Sequence, residues 1–157
     1  MNYTNRFITY ADELSTLRPI MSYYCRLHAV NHCLSLAREG KITRMDPALE
    51  KLLDLHLKVL EELKPTLSER KEDHQAAVKD FVDLSILHIN DEMREALNAH
   101  LYLTKPQKEK ARAIGEELLK CSDLIEVLGE VGLLSPFYKA KQVEMREEVD
   151  LIIKAME

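Results

Sequence analysis

The stretch PIMSYYCRLHAVNHCLSLA, residues 19–37, decides how this chain is read. Its apolar residues Ile20, Tyr23, Leu27, Val30 and Leu34 recur at spacings of three and four, the period of one helix face and not the alternation of a strand. Pro19 stands at the first helical position, where a missing N–H costs nothing. The same stretch holds Cys25, His28 and His32, which on a helix of 100° per residue fall within an arc of about 60°. A metal site, a core face and the edge of a binding groove are all open readings of that arc.

Outward from this helix the rest of the chain follows the same period. Four glycines and five prolines in 157 residues leave little room for hairpins. Pro19, Pro47, Pro106 and Pro136 each sit near the start of a periodic run, with Asp46 and Ser135 at N-cap positions, and Pro65 kinks or ends another. The spacing predicts six helices, over residues 5–16, 19–38, 46–65, 70–103, 107–131 and 136–156. The links REGKITRM (38–45) and GLLS (132–135) are short enough to force antiparallel neighbours. The fold class is all-α, with two three-helix antiparallel bundles in tandem, residues 1–69 and 70–157, packed together.

The predicted core follows from the stripes. Besides the set on helix two, helix three carries Leu49, Leu52, Leu53, Leu60 and Leu63. Helix four carries Val78, Phe81, Val82, Ile89, Met93 and Leu97, and helix five Ile114, Leu118, Cys121, Ile125 and Leu128.

Composition excludes several function classes. With 46% hydrophobic and 31% charged residues the chain is patterned to fold. A net charge of −5 and the lack of a separate basic run give no footprint for nucleic acid. No apolar run reaches the roughly 20 residues that span a bilayer, and MNYTNRFITYADE has no signal-peptide core, so a cytoplasmic protein is expected. Cys25 and Cys33, separated by about 12 Å of helical rise, cannot bridge each other, which favours reduced thiols.

Catalytic and metal motifs are missing. A structural zinc site wants four ligands, and no second Cys or His cluster accompanies Cys25, His28 and His32. None of the histidines has a Glu three residues before it, as a di-iron bundle requires. No glycine flanks a Ser or Cys in the manner of a strained nucleophile turn, and no phosphate loop occurs. No enzyme, metal or cofactor is expected.

What remains is recognition of a helix in a groove, which needs apolar residues beside the core stripe. On helix three Leu57 lies about 100° from the stripe centre, with Glu61 one turn later. The matching flank of helix two carries Met21, Tyr24, His28 and Ser35, and counting from the loop centre sets His28 opposite Leu57. The candidate site is therefore Leu53, Leu57 and Glu61 on helix three with Met21, Tyr24 and His28 on helix two. Glu61, Glu62 and Asp54 offer charge to basic residues on a ligand helix. Protonation of His28, near the imidazole reference of about 6.5, is expected to make that groove pH-sensitive.

Two segments also look familiar. RPIMSYYCRLHA (18–29) resembles the Asp-Pro-hydrophobic…Tyr-Tyr-Cys-Arg-Leu-Tyr-Ala signature of the N-terminal domain of the Vta-one family, cofactors of the Vps-four-type AAA ATPase that disassembles ESCRT-III. CSDLIEVLGEVG (121–132) is similar to that family's Ala-Ser-x-Leu-Ile-Asp-Val stretch. The resemblance implies two MIT-type modules, each of antiparallel helices. It implies that the first module holds the C-terminal helix of an ESCRT-III subunit between helices two and three, with Leu57 as apolar contact and Glu61 as partner to an Arg or Lys. A second module would take a different subunit, and the ATPase would be reached only through a C-terminal domain not included in this chain. Arg18 stands where the family has an acidic residue, His28 where it has Tyr, and YKAKQVE (138–144) lacks the Trp of Lys-Tyr-Ala-Lys-Trp.

The expectation is thus a multivesicular-body sorting adaptor, cytoplasmic and recruited to endosomes, that binds ESCRT-III tail helices. The alternative from another class is a structural helical module for homodimerisation or scaffolding.

Overall fold

The computed structural model describes residues 2–40, 47–98 and 105–156. Six α-helices follow in order: α1 (Tyr3–Leu14), α2 (Pro19–Arg38), α3 (Pro47–Leu63), α4 (Lys71–Asn98), α5 (Lys105–Val127) and α6 (Pro136–Met156). Short 3-10 turns at Lys64–Thr66 and Leu128–Val131 extend α3 and α5. Among the described residues there is no strand, and the all-α reading holds. Proline punctuation explains the boundaries: Pro19, Pro47 and Pro136 open their helices and Pro106 lies in the first turn of α5. Pro65, lacking an N–H, falls just past α3 in the tighter turn. The cap at Asp46 lies outside the described residues.

By backbone contacts the chain divides into two compact units, Met1–Val78 and Lys79–Glu157. The boundary falls inside α4, about two turns beyond the divide near residue 70 that helix order suggests.

In the first unit α1 starts with Asn2 accepting the Asn5 amide at 2.8 Å, a side-chain N-cap. Its buried residues Phe7, Tyr10 and Ala11 keep the 3/4 spacing of one face. The buried face of α2 is unlike the predicted stripe. It consists of Met21, Ser22, Cys25, Arg26, Ala29, Val30 and Cys33, mostly small or polar residues. Of the predicted set only Val30 is buried; Ile20, Tyr23, Leu27 and Leu34 are half-buried. Small side chains let α1 approach closely, and Ser22 donates its hydroxyl to the Ala11 carbonyl across the contact.

On α3 Leu60 is buried and Leu53, His56, Val59 and Leu63 are half-buried, whereas Leu52 is 42% and Leu55 55% exposed. The side chain of Leu49, in the predicted stripe, lies outside the described residues. α2 is joined to the first turn of α4 by Tyr24, whose hydroxyl is 2.6 Å from His74 Nδ1. The other ring nitrogen of His74 contacts the Ser68 carbonyl. A carbonyl only accepts, so Nε2 carries the hydrogen and Nδ1 takes the Tyr24 proton.

The second unit is built around the C-terminal half of α5, where Cys121, Ser122, Asp123, Leu124, Ile125, Val127 and Leu128 are buried in near succession. Every residue of the predicted α5 stripe is in this core. On its part of α4 Val82 and Ile89 are buried and Phe81 is half-buried, while Val78, also buried, closes the first unit; the side chains of Met93 and Leu97 are outside the described set. α6 packs on α5, burying Tyr138, Gln142, Met145 and Ile152, with Gln142 Nε2 donating to the Ser122 carbonyl at 2.8 Å and Ile152 beside Gly115. Tyr138 donates to Asp83 Oδ1 at 2.7 Å, and Lys79 reaches the other oxygen at 2.7 Å. The turn between α5 and α6 needs Gly132 at φ 76°, where Leu133 N–H bonds back to the Leu128 carbonyl at 2.9 Å in a Schellman closure.

Candidate functional site

The first unit places α1 and α3 on adjoining sides of α2. Toward α1, His28 Nε2 lies 2.9 Å from the Tyr3 hydroxyl, with its ring centroid 4.5 Å from that of Phe7; the His32 ring is 4.5 Å from the Tyr3 ring. Toward α3, Arg26 Nη1 donates to His56 Nδ1 at 2.8 Å. Val30 and Cys33 share a crevice with Leu52, Leu53 and His56, closed from α1 by Thr4, Asn5 and Ile8.

These contacts orient both helical wheels. On α2 the α1-facing side is centred about 100° before the α3-facing side, in the sense of increasing residue angle. The next sector, beyond α3 and away from α1, carries Tyr23, Leu27 and Leu34. On α3 Leu52 and Leu53 both line the crevice that α1 closes, and from Leu53 the positions of Leu57 and Glu61 step round away from Leu52 by about 40° each. Antiparallel helices turn in opposite senses when seen down one axis, so these two sectors open onto the same side, with α1 behind. The Arg26–His56 bond brings Leu27 level with Leu57 and Tyr23 level with Glu61, to within a turn.

On these wheels Tyr23, Leu27 and Leu34 of α2 and Leu57 of α3 fall on one side of the α2–α3 seam, the candidate furrow, while Leu53 lines the crevice beneath it with Val30 and Cys33. Leu57 is 37% exposed, and the α2 residues are half-buried. Asp54 and Glu61, both exposed, lie outside Leu57 as an acidic rim. The arrangement offers apolar contact area with adjacent carboxylates, the surface that an amphipathic helix with basic flanks complements.

The structure separates the residues chosen from the sequence. Leu57 and Glu61 are exposed on the side of α3 turned away from α1, and Leu53 is half-buried in the crevice that α1 closes. The three α2 residues lie elsewhere. Met21 is 1% exposed and belongs to the core. Tyr24 is turned to His74, and His28 packs on α1, so His28 does not face Leu57. The shift follows from taking the large apolar residues of α2 as its core, which moved its apparent flank to the far side. For the same reason Tyr23, Leu27 and Leu34 read as core from the sequence, whereas the structure leaves them half-buried. The signal that reveals them is the run Ser22, Cys25, Ala29 and Cys33, small residues at helix–helix spacing that mark the true contact face.

The opening arc also resolves. Cys25 is fully buried, and His28 and His32 sit against Tyr3. Among the described residues no three His, Cys, Asp or Glu side chains cluster to hold a metal ion. Cys25, Cys33 and Cys121 are buried thiols, and burial first, then the Glu117 charge, pushes Cys121 up to about 12, so it stays protonated.

Compared with known families, the model of the Vta1-like family matches residues 4–156 of this chain. The chain belongs to the Vta1-like family. No curated protein matches it. Membership in the Vta1-like family points to the ESCRT pathway, and the match spans both compact units, so the α2–α3 furrow and the α5–α6 pair lie within the family's domain. Gln142, within YKAKQVE, is buried. Among the described residues no helix is long and apolar enough to cross a membrane.

Proposed function

We propose that this chain is an endosomal-sorting adaptor domain whose first unit binds amphipathic C-terminal helices of ESCRT-III subunits in the α2–α3 furrow. One observation carries the reading: the large apolar side chains Tyr23, Leu27 and Leu34 occupy the half-buried flank of α2, while most of its contact face is small or polar. A helix that only needed to pack within its own bundle gains little from that distribution, since each large side chain left half-exposed forgoes part of the about 1.5–3 kcal/mol of full burial. A docked helix recovers it. Leu57 completes the far wall, and Asp54 and Glu61 select basic residues on the occupant.

The role is one of recognition without catalysis. The two units act as MIT-like modules in multivesicular-body formation. The domain works in the cytoplasm and reaches endosomes through its ESCRT-III partners, and its link to the Vps-four-type ATPase passes through other parts of the protein.

Fluorescence anisotropy with labelled ESCRT-III tail peptides tests this directly. Leu27→Asp and Leu57→Asp should each weaken binding by about tenfold or more, the loss typical of a central interface anchor, at unchanged helicity. Peptide affinity equal to that of the unaltered chain in both variants removes the furrow as the site.

A further inference from the structure

The first unit contains a polar chain that joins α1, α2 and α3. Asp12 on α1 accepts from Arg26 Nη2 at 2.8 Å, and Arg26 on α2 donates through Nη1 to His56 Nδ1 on α3 at 2.8 Å. Arg26 is 7% exposed, and its Nε is buried with no hydrogen-bond partner. A guanidinium has only donors and stays charged at any physiological pH, so His56 must be the acceptor and therefore neutral at Nδ1. Protonation converts Nδ1 to a donor facing a donor, and sets two cations at hydrogen-bond distance in a half-buried site. The bond cannot persist in that state.

We propose that the Asp12–Arg26–His56 chain is a proton-operated latch that holds α3 against α1 and α2. α3 depends on it because, among its described side chains, only Leu60 is buried, leaving few other contacts to keep the helix seated. The groups facing His56 are Arg26 and the Cys33 thiol from α2 and Asp12 from α1; on α3 the neighbouring turns present Leu52, Leu53, Val59 and Leu60. Asp12 lies on the far side of the guanidinium with its side chain 67% exposed, so it offsets the Arg26 charge at His56 only in part. Burial and the Arg26 charge lower the His56 pKa from its ordinary 6.5, partly offset by Asp12, in the sense the geometry requires. Because α3 forms one wall of the furrow, opening the latch also releases a bound helix; that consequence rests on the reading given under Proposed function, whereas the release of α3 does not.

The test uses the whole chain and two readouts. Histidine NMR should place the His56 midpoint below 6.5, and hydrogen exchange, corrected for intrinsic rates, should show α3 losing protection selectively between about pH 7.5 and about pH 5.5. In His56→Asn the amide oxygen takes the Nδ1 position and accepts without titrating, so this selective loss should vanish. A His56 midpoint at or above 6.5, or the same pH-dependent loss in His56→Asn, overturns the latch. Affinity for an ESCRT-III tail peptide should fall over the same interval only in the unaltered chain. If α3 is released and no peptide binds at any pH, the latch stands and the groove reading falls.

Discussion

Tyr24 on α2 gives its hydroxyl proton to His74 Nδ1 on α4 across 2.6 Å, and the His74 ring is in turn fixed by the Ser68 carbonyl. A side chain that the sequence offers as a ligand contact is thus a structural tie between α2 and the chain that follows α3. Tyr24→Phe should reduce the stability of the first unit by about 1 kcal/mol, the net worth of one part-buried hydrogen bond, in urea unfolding. Tail-peptide affinity should be unchanged. A loss of affinity with stability intact would return Tyr24 to the binding surface.

Met21 and Leu27 reverse the roles that apolar patterning assigns to them. Met21→Ala should cost about 2–5 kcal/mol of stability, as for other core truncations, because the side chain is 1% exposed. Leu27→Ala should cost clearly less in stability while weakening peptide binding by roughly tenfold. Paired unfolding and binding measurements on the two variants separate core from groove.

In the second unit Asp83 links α4 to α6. Burial raises its pKa, but hydrogen bonds from Lys79 and Tyr138 and the Lys79 charge outweigh that and hold the carboxyl below its ordinary 3.8. With the folded pKa depressed, the unfolded chain binds more protons in the acid range. The contribution is therefore present in full above 3.8 and is lost as pH falls through the folded value. Tyr138→Phe removes one of the two donors, so the drop in unfolding midpoint on acidification below about pH 4 should be shallower in the variant. An identical acid limb would show that the Tyr138 bond does not tune Asp83.

Gly115 sits within α5 with ordinary helical backbone, and a Cβ placed there meets Ile152 Cγ2 at 3.6 Å, a normal van der Waals contact. Gly115→Ala should raise stability by about 0.5–1 kcal/mol through helix propensity alone. A destabilised variant would mean that α5 and α6 approach more closely than this geometry allows.

Helix positions were legible because proline and the 3/4 period are local signals. The α5 stripe was read without error because its core residues Ile114, Leu118, Ile125 and Leu128 are large and apolar. α2 was read on the wrong face. Its contact side is made of Ser22, Cys25, Arg26, Ala29 and Cys33, which a search for large apolar residues passes over, while Tyr23, Leu27 and Leu34 attract it. Leu57 and Glu61 are singled out by sequence because they flank Leu60, the one buried residue among the described side chains of α3. The Asp12–Arg26–His56 chain joins three helices through residues far apart in sequence, so no local pattern announces it. The unit boundary inside α4 is likewise invisible to periodicity, since the helix continues through it.

The most direct test is amide and methyl chemical-shift mapping of the full chain during titration with an ESCRT-III C-terminal helix peptide. The largest perturbations should fall on Tyr23, Leu27 and Leu34 of α2 and on Leu53, Leu57 and Glu61 of α3, with Met21 and His28 little affected. Perturbations centred on the α1 side, around Tyr3 and His28, or saturating binding that leaves α2 and α3 unshifted, would contradict the proposed groove.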